Sequence, residues 1–541
     1  MSDTAAIIFL AGLLLFVLGA FLNTAFHIDD PLFLRVAEQI QKHPGNPFGF
    51  SVNWYGGSMP VWDITKNPPF ASYYIALVAA TLGWSEPALH LAFIAAAIAV
   101  GIGTYLLAAR LCSHPLLAAL TALLTPVFLV SSLTVMSDVL MLSFWVFAVY
   151  FWIKGIEESN SGALLIAAAL VGVSALTKYF GMALIPLLLI YTASKKRGIG
   201  WWIAYLCIPV AILAIYQAAT VHLYGRGLLL DAAAYATESK SDFAKFPIAK
   251  TYVNFAFAGA CVATVLLFVQ QLWSRKLIIG AVLLIVLATL LFFNVSSVGS
   301  FMMPAERTPH FLLALQLSIW GMAGISLIVL TSLDFYQRRE SDSLLLFLWI
   351  VGTCVFAGFI NWTINGRSIL PMIIPAGIIV TRRLEKRVKT VRGVRIPATL
   401  LPLIAALVLA IAVSWGDTAL ADTARVGAMR IHETFRPRQV WFQGHWGFQY
   451  YMEQTGAKPI DVNQFHPAVG DLVAVPTTNT NLFPMPAQWP VRQVFEIPSG
   501  YWISTMNAGT GAGFYADIFG PLPFVIAPAS PEQFAVFEIT Q

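Results

Sequence analysis

The chain reads as an all-α polytopic membrane protein of about 13 transmembrane helices, with interfacial helices on its outer face and a small C-terminal α/β soluble domain. Three observations predict this. Of 541 residues, 58% are hydrophobic and 11% charged, with a mean hydropathy of +0.74; a soluble domain carries roughly 45–50% apolar and 25% charged residues. Near-continuous apolar runs recur that approach or exceed the ~20 residues a helix needs to cross a bilayer. Beyond residue 416 the composition turns to mixed polar and aromatic over about 125 residues, the length of one small domain.

The predicted spans are 4–22, 87–109, 115–132, 135–153, 161–177, 180–194, 201–220, 251–272, 277–293, 310–331, 343–360, 368–381 and 397–415. The first is read as a retained anchor: Met1 to Ala6 carries no Lys or Arg, the apolar run reaches Leu22, and Leu22-Asn23-Thr24 is a poor cleavage site. The stretch 68–83 is apolar but short and Pro-started, so it is placed as a re-entrant or interfacial helix. With a cytoplasmic N-terminus, Arg110, Lys154, Lys195-Lys196-Arg197, Arg275-Lys276, Arg338-Arg339 and the cluster from Arg382 to Arg395 all fall on the cytoplasmic side. That satisfies the positive-inside rule in each short loop. The loops 23–86 and 221–250 and everything after 416 then share the outer face.

The chain divides into a membrane domain over 1–396 that includes the outer loop 23–86, a last span over 397–416, and an outer-face domain over 417–541. In the last, strands are predicted at Arg438–Phe442 and Leu472–Val475, helices at Ala421–Phe435 and Gly447–Gly456, and turns over Asn507–Gly513. The cysteines Cys112, Cys207, Cys261 and Cys354 lie in or beside apolar spans without CxxC spacing, as small hydrophobes. The net charge of +5 is spread over loops, which argues against nucleic acid as a partner.

Charge is scarce, so ionisable residues where helices leave the bilayer are functional candidates. Asp29 and Asp30 lie just past the first span in His27-Ile28-Asp29-Asp30-Pro31. After them Phe33, Val36, Ala37 and Ile40 recur at helical spacing, with Arg35, Glu38, Gln39 and Lys42 facing away. Such a helix is expected in the interface plane, apolar side down, with the carboxylates at the lipid–water boundary. One of them could accept a proton from a hydroxyl nucleophile; alternatively either caps the helix. In Asp63-Ile64-Thr65-Lys66-Asn67-Pro68-Pro69, the prolines hold Asn67 extended and present Lys66 near a lipid phosphate, or as a snorkelling interfacial lysine. Asp138, Lys178, Glu306-Arg307 and Arg367 fall at the outer ends of helices under the same topology. Cations for a departing phosphate and a carboxylate for an attacking hydroxyl are what breaking a phosphate–sugar bond requires.

The order of these elements resembles a known family. An outer acidic pair with its amphipathic helix, a Lys-x-Pro-Pro element at Lys66, the helix-opening Asp138, the Leu176-Thr177-Lys178 junction and the run Arg367, Leu370, Pro371, Pro375 look like the type C glycosyltransferases. The branch resembled contains the protein O-mannosyltransferases and the lipid A aminoarabinose transferase, and the likeness covers roughly residues 5–380. It implies a polyprenyl-phosphate-linked sugar donor and inverting transfer on the outer membrane face. It also implies Asp29 at the reaction centre and Lys66 and Lys178, with Arg367, near the donor phosphate; Asp30 and Asp138 would orient these groups. The sequence departs from the family's Glu-Lys-Pro-Pro, since Asn67 separates Lys66 from the prolines, and it has Asp30 where Glu is frequent.

Expected partners are therefore the lipid-linked donor, a glycan, lipid or protein acceptor, and membrane lipids. The expected location is a bacterial cytoplasmic membrane. No cofactor is required by this reading, and no ligand spacing supports a divalent cation; His445 and His466 do not form one. In the tail, Trp441 to Tyr451 is dense in aromatics that suit a small hydrophobic core better than a sugar platform. The competing class is a polytopic transporter or lipid flippase. It explains the spans but not the interfacial acidic helix or the appended domain, and the repeated halves often seen in transporters are not found. A third class is a non-catalytic assembly subunit, in which Asp29→Asn would be silent.

Overall fold

The structure, a computed structural model, describes residues 2–237, 247–294, 311–390, 396–500 and 502–540. Glu306-Arg307 lies outside them. Among the described residues, seven helices are long and apolar enough to cross a membrane: Glu86–Leu111, Ser137–Glu157, Ile203–Tyr224, Arg275–Asn294, Phe311–Arg338, Ser341–Ile360 and Thr399–Phe435. The remaining predicted spans are shorter or broken helices, each for a local reason. The run 115–132 splits into Pro115–Leu123 and Pro126–Ser131, because Pro126 supplies no N–H and holds Thr125 extended. The span at 251–272 becomes Pro247–Cys261 followed by two single turns. Asp3–Gly19 and Ser161–Thr177 stay as short apolar helices, and Leu184–Lys196 follows a 3-10 turn over Tyr179–Ala183.

Ser137–Glu157 is the central rod. It packs between Glu86–Leu111 and Ser161–Thr177, and its apolar residues Leu142, Trp145, Val149 and Trp152 are fully covered. Arg275–Asn294 is the reverse case. Most of its apolar surface faces outward, as a lipid-facing helix requires. Pro247–Cys261 and Phe311–Arg338 touch backbone to backbone: a Cβ at Gly324 would stand 1.9 Å from the Phe255 carbonyl oxygen, and one at Gly259 2.0 Å from that of Trp320. Small residues permit this approach, which maximises van der Waals contact where no hydrophobic drive acts between helices.

The basic helix ends gather at one end of the bundle. Arg110 and Lys195 both pair with Glu157, at 3.0 and 3.1 Å, Lys195 reaches Asp342 at 3.2 Å, and Arg382 reaches Asp334 at 3.1 Å. The outer loop stands at the other end. Its hairpin, Ser51–Asn53 against Ser58–Pro60, precedes the helix Phe70–Leu82. The helix Asp30–Lys42 forms as the periodicity requires, with Pro31 in its first turn. Its surroundings differ from expectation. Leu32, Phe33, Val36, Ala37 and Ile40 are buried in the protein, chiefly by Phe70–Leu82 and by a helix of the C-terminal region. An apolar stripe satisfies a protein neighbour as well as a lipid one, and here the protein takes it.

The helix predicted over Ala421–Phe435 is not separate. It is the end of one unbroken 40-residue helix, Ile396–Phe435, so the boundary drawn at 416/417 falls inside a helix. Its last turns pack on a five-stranded sheet ordered Lys458–Pro459, Val440–Phe442, Leu472–Pro476, Glu532–Glu538, Val491–Ile497; the first two pairings are parallel and the others antiparallel. Ala428 and Ile431 of the long helix meet Phe442, Phe448 and Phe534 there. Polar contacts fasten this domain to the outer loop: the Phe26 N–H donates to the Tyr451 hydroxyl (2.9 Å), the Ala25 N–H to Asp422 (3.1 Å), and Arg35 pairs with Glu453.

Candidate active site

A cavity of about 680 Å³ opens between the helix ends opposite the basic cluster, the 23–86 loop and the C-terminal domain. Asp29, Lys66, Asp138, Lys178 and Arg367 all line it. Asp30 does not. The two acids leave a turn on successive residues, so their side chains diverge. Asp30 is fully buried and accepts two backbone hydrogen bonds, from His27 (2.8 Å) and from Val135 in the break between two helices (3.0 Å). Neither acid makes the side-chain cap that the sequence leaves open.

Asp30 instead ties down a strained corner. Ile28 has φ +47°, a left-handed conformation that costs a β-branched residue energy and survives only where its surroundings impose it. The clamp of Asp30 on the N–H of His27, and the edge contact of the His27 ring with Tyr515 at 5.3 Å, fix this corner and turn Asp29 into the cavity. Burial pushes the Asp30 carboxyl well above the usual carboxylate range, with the two N–H donors opposing, and drives His27 down to about 3. The imidazole is therefore neutral.

Arg367 faces Asp29. Asn365 caps its short helix by accepting from the Ser368 N–H at 2.8 Å, which sets the direction in which the arginine leaves. The guanidinium lies 3.4 Å from the Asp29 carboxylate and 5.5 Å from the centre of the Tyr515 ring. The Tyr515 hydroxyl donates to Asp417 on the long helix (2.9 Å), and Thr505 donates to the other Asp417 oxygen (2.6 Å). The C-terminal domain thus holds a face of the arginine through a hydrogen-bonded ring.

Lys178 sits in an extended break between Ser161–Thr177 and the 3-10 turn, where its ammonium bonds Asp138 in the first turn of the central rod. Lys66 is presented by the Asp63–Pro69 segment and pairs with Asp231 at 2.6 Å, also reaching the Trp62 carbonyl at 3.3 Å. Arg226 joins this group through Asp63 and, at 3.5 Å, Asp231. Each of the three predicted cations therefore already has a carboxylate partner, and an entering phosphate would share or displace it. Among the described residues no three His, Cys, Asp or Glu side chains come together as metal ligands.

Sequence reading missed Asp231 and Tyr515. It also assigned the tail aromatics to a core, which holds for Trp441, Phe442, Phe448 and Tyr451. His445 and Trp446, from the same run, instead line the cavity. The turn residues Gly444 and Trp446, both at positive φ, are the local reason.

Residues 66–222 match the family model described as dolichyl-phosphate-mannose-protein mannosyltransferase. The match begins at Lys66 and includes Asp138 and Lys178. No curated protein sequence matches the chain. Among solved structures, the apo oligosaccharyltransferase of Archaeoglobus fulgidus is similar at 13% identity and TM-score 0.49, over 85% of this chain and 64% of that one; the chain thus spans less than two thirds of that enzyme. ArnT from Cupriavidus metallidurans, bound to undecaprenyl phosphate, is similar at 13% identity and TM-score 0.44, over 88% of this chain and 94% of that one. The S. cerevisiae protein O-mannosyltransferase Pmt1-Pmt2 complex bound to the sugar donor is similar at 15% identity and TM-score 0.33, over 44% and 36%. Over residues 66–222 the chain is thus similar to the mannosyltransferase family model, in the stretch that carries Lys66, Asp138 and Lys178.

Proposed function

We propose that the protein is a membrane glycosyltransferase that moves a sugar from a polyprenyl-phosphate donor to a hydroxyl of an envelope acceptor, on the outer face of a bacterial cytoplasmic membrane. The observation that carries this reading is the convergence of one carboxylate and three cations, Asp29 with Arg367, Lys66 and Lys178, on a single cavity. They come from four separate segments of the chain. The family match over 66–222 supports the same class, and the gathering of basic residues at the opposite end of the bundle supports the sidedness.

The chemistry follows from the charges. An acceptor hydroxyl gives its proton to Asp29 as its oxygen attacks the anomeric carbon from the side away from the phosphate. A new C–O bond forms, the bond from anomeric carbon to phosphate oxygen breaks, and its electron pair leaves with the polyprenyl phosphate. In-line displacement inverts the anomeric centre. Lys66, Lys178 and Arg367 meet the charge that grows on the leaving phosphate, the largest electrostatic demand of the step. Asp138 holds the Lys178 ammonium toward the cavity, and Asp30 holds the corner that aims Asp29. The step as written calls on no metal.

The test compares envelope glycans and lipids by mass spectrometry in cells carrying the wild type, Asp29→Asn or no protein. The expected result is a sugar substituent present only with the wild type. An unchanged glycan profile in the null cells, or an Asp29→Asn strain indistinguishable from the wild type, refutes the proposal.

A further inference from the structure

The cavity has a second wall that the transfer step does not use. It is built from rings. The His445 imidazole lies 5.2 Å from the ring of Trp54, 5.7 Å from that of Tyr55 and 4.7 Å from that of Trp446, and Trp446 lies 6.1 Å from Phe519. Trp54 and Tyr55 come from the outer hairpin turn; His445, Trp446 and Phe519 come from the C-terminal domain. Polar groups sit among the rings. Thr480 is 3.3 Å from His445 Nε2, Asn481 lines the cavity beside it, and His445 Nδ1 is buried with no partner among the described residues.

This wall is held at a cost, independently of its composition. Trp446 has φ +64°. A bulky residue in the left-handed region is a genuine outlier, and such outliers concentrate at ligand sites. Two glycines wedge the Trp446 turn in place. A Cβ at Gly447 would stand 2.2 Å from the Phe26 carbonyl oxygen, and Gly444, at φ +86°, is pressed against Pro476. Asn479 then clamps the turn from the opposite loop, its side chain meeting both the N–H and the carbonyl of His445. A ring meant only for a core needs neither a left-handed backbone nor a cavity in front of it.

Flat rings interrupted by single hydrogen-bonding groups match a ligand with an apolar C–H face and a rim of hydroxyls. That is a pyranose. An acyl chain would call for an apolar wall without donors or acceptors, which this wall is not. It also adjoins the base: the Tyr55 hydroxyl, pushed up chiefly by burial, feels the Asp29 charge as well. We infer that the wall formed by Tyr55, Trp446 and Asn481, backed by the buried rings of Trp54 and His445, is an acceptor subsite for a saccharide, so that the hydroxyl glycosylated belongs to a sugar. As an acceptor site this rests on the transfer reading above; as a saccharide site it stands on the wall alone.

The experiment uses the full-length protein in lipid nanodiscs with undecaprenyl phosphate present to fill the donor side. Saturation-transfer NMR is recorded with methyl α-mannopyranoside, methyl β-glucopyranoside and methyl β-galactopyranoside, and in parallel with N-acetylated, amidated serine and threonine peptides. Loss of one aromatic anchor is expected to weaken binding about tenfold or more. The expected result is saturation of the ring C–H protons of at least one pyranoside in the wild type. It should be lost in Trp446→Ala and largely regained in Trp446→Phe, whose recovery also shows that the fold survives. Saturation of the peptides alone, or a pyranoside signal indifferent to both Trp446→Ala and Asn481→Ala, overturns the inference. Pyranoside binding of the expected pattern, with no glycan missing from null cells, would sink the transfer reading and leave the saccharide site standing.

Discussion

Replacing Arg367 with methionine removes the guanidinium between Asp29 and the Tyr515 ring while keeping an unbranched side chain there. At 3.4 Å, and at the effective dielectric of about 20 that suits protein sites, the Arg367–Asp29 attraction is about 5 kcal/mol gross. Most of this is offset by keeping the arginine out of water, and the Asp29 side chain is 30% exposed. Folding stability should therefore change by no more than about 1 kcal/mol, as for a partly exposed pair. Function should change far more. A charge-assisted hydrogen bond to phosphate contributes about 1.5–3 kcal/mol, or roughly 10- to 150-fold in affinity. Losing one preorganised contact to developing charge costs about 10²–10³ in rate. The assays are binding of undecaprenyl phosphate to the purified protein in nanodiscs and accumulation of the envelope product in cells. Arg367→Lys keeps the charge but loses the fork and the flat face over Tyr515, and should fall between the two, near tenfold down. If Arg367→Met binds undecaprenyl phosphate within twofold of the wild type and leaves product levels unchanged, the reasoning about this cavity is wrong.

Three further outcomes are expected. Tyr515→Phe deletes one of two hydrogen bonds to the buried Asp417 but keeps the ring over Arg367, so it should cost about 1–3 kcal/mol of stability with turnover mostly kept. Tyr515→Ala should lower turnover further at unchanged acceptor affinity, and thermal melts beside product assays separate the two. Asp231→Asn removes the competing anion 2.6 Å from Lys66, so undecaprenyl phosphate should bind several-fold more tightly; weaker binding would show that Asp231 positions the lysine instead. Stability should also fall on acidification. His27 and His445, both driven to about 3 by burial, stay neutral in the fold but charge in the unfolded chain below about pH 6.5, costing roughly 1.4 kcal/mol per pH unit each. Their contribution is complete above pH 6.5 and is lost as pH falls toward 3. The raised Asp30 works in the opposite sense, since the fold then takes up its proton first. Melting profiles from pH 7 to 5 should accordingly flatten in His445→Gln.

What could be read from the chain, and what could not, follows the range of each interaction. Asp29 stood out because a carboxylate beside a bilayer-spanning helix is expensive wherever it points. Lys178 and Arg367 stood out because both break apolar runs. Asp231 gives no such signal: it lies 165 residues from the lysine it pairs with, in the segment 221–250 read as a connecting loop, where acids are ordinary. Tyr515 is one of 17 tyrosines, and only its placement over Arg367 marks it. Periodicity showed that Asp30–Lys42 has one apolar face, yet it is blind to whether lipid or protein covers that face. Hydropathy ended the last span near residue 415, where the chain turns polar; backbone hydrogen bonding does not heed polarity, and the helix runs on. The tail aromatics divide between core and cavity at a single left-handed turn, which composition does not encode.

That continuous helix has a mechanical consequence. Forty residues at 1.5 Å each make a rod of about 60 Å, roughly twice the thickness of the hydrocarbon layer. One piece of secondary structure therefore runs from the bilayer to the sheet of the domain whose rings face the cavity, with no swivel between. Lengthening it by a single residue would lift that sheet by about 1.5 Å and swing it by about 100°, carrying Trp446 and Tyr515 away from Asp29 and Arg367. Only an insertion near a whole number of turns would return them to the same bearing, so activity across an insertion series should oscillate with the helical period.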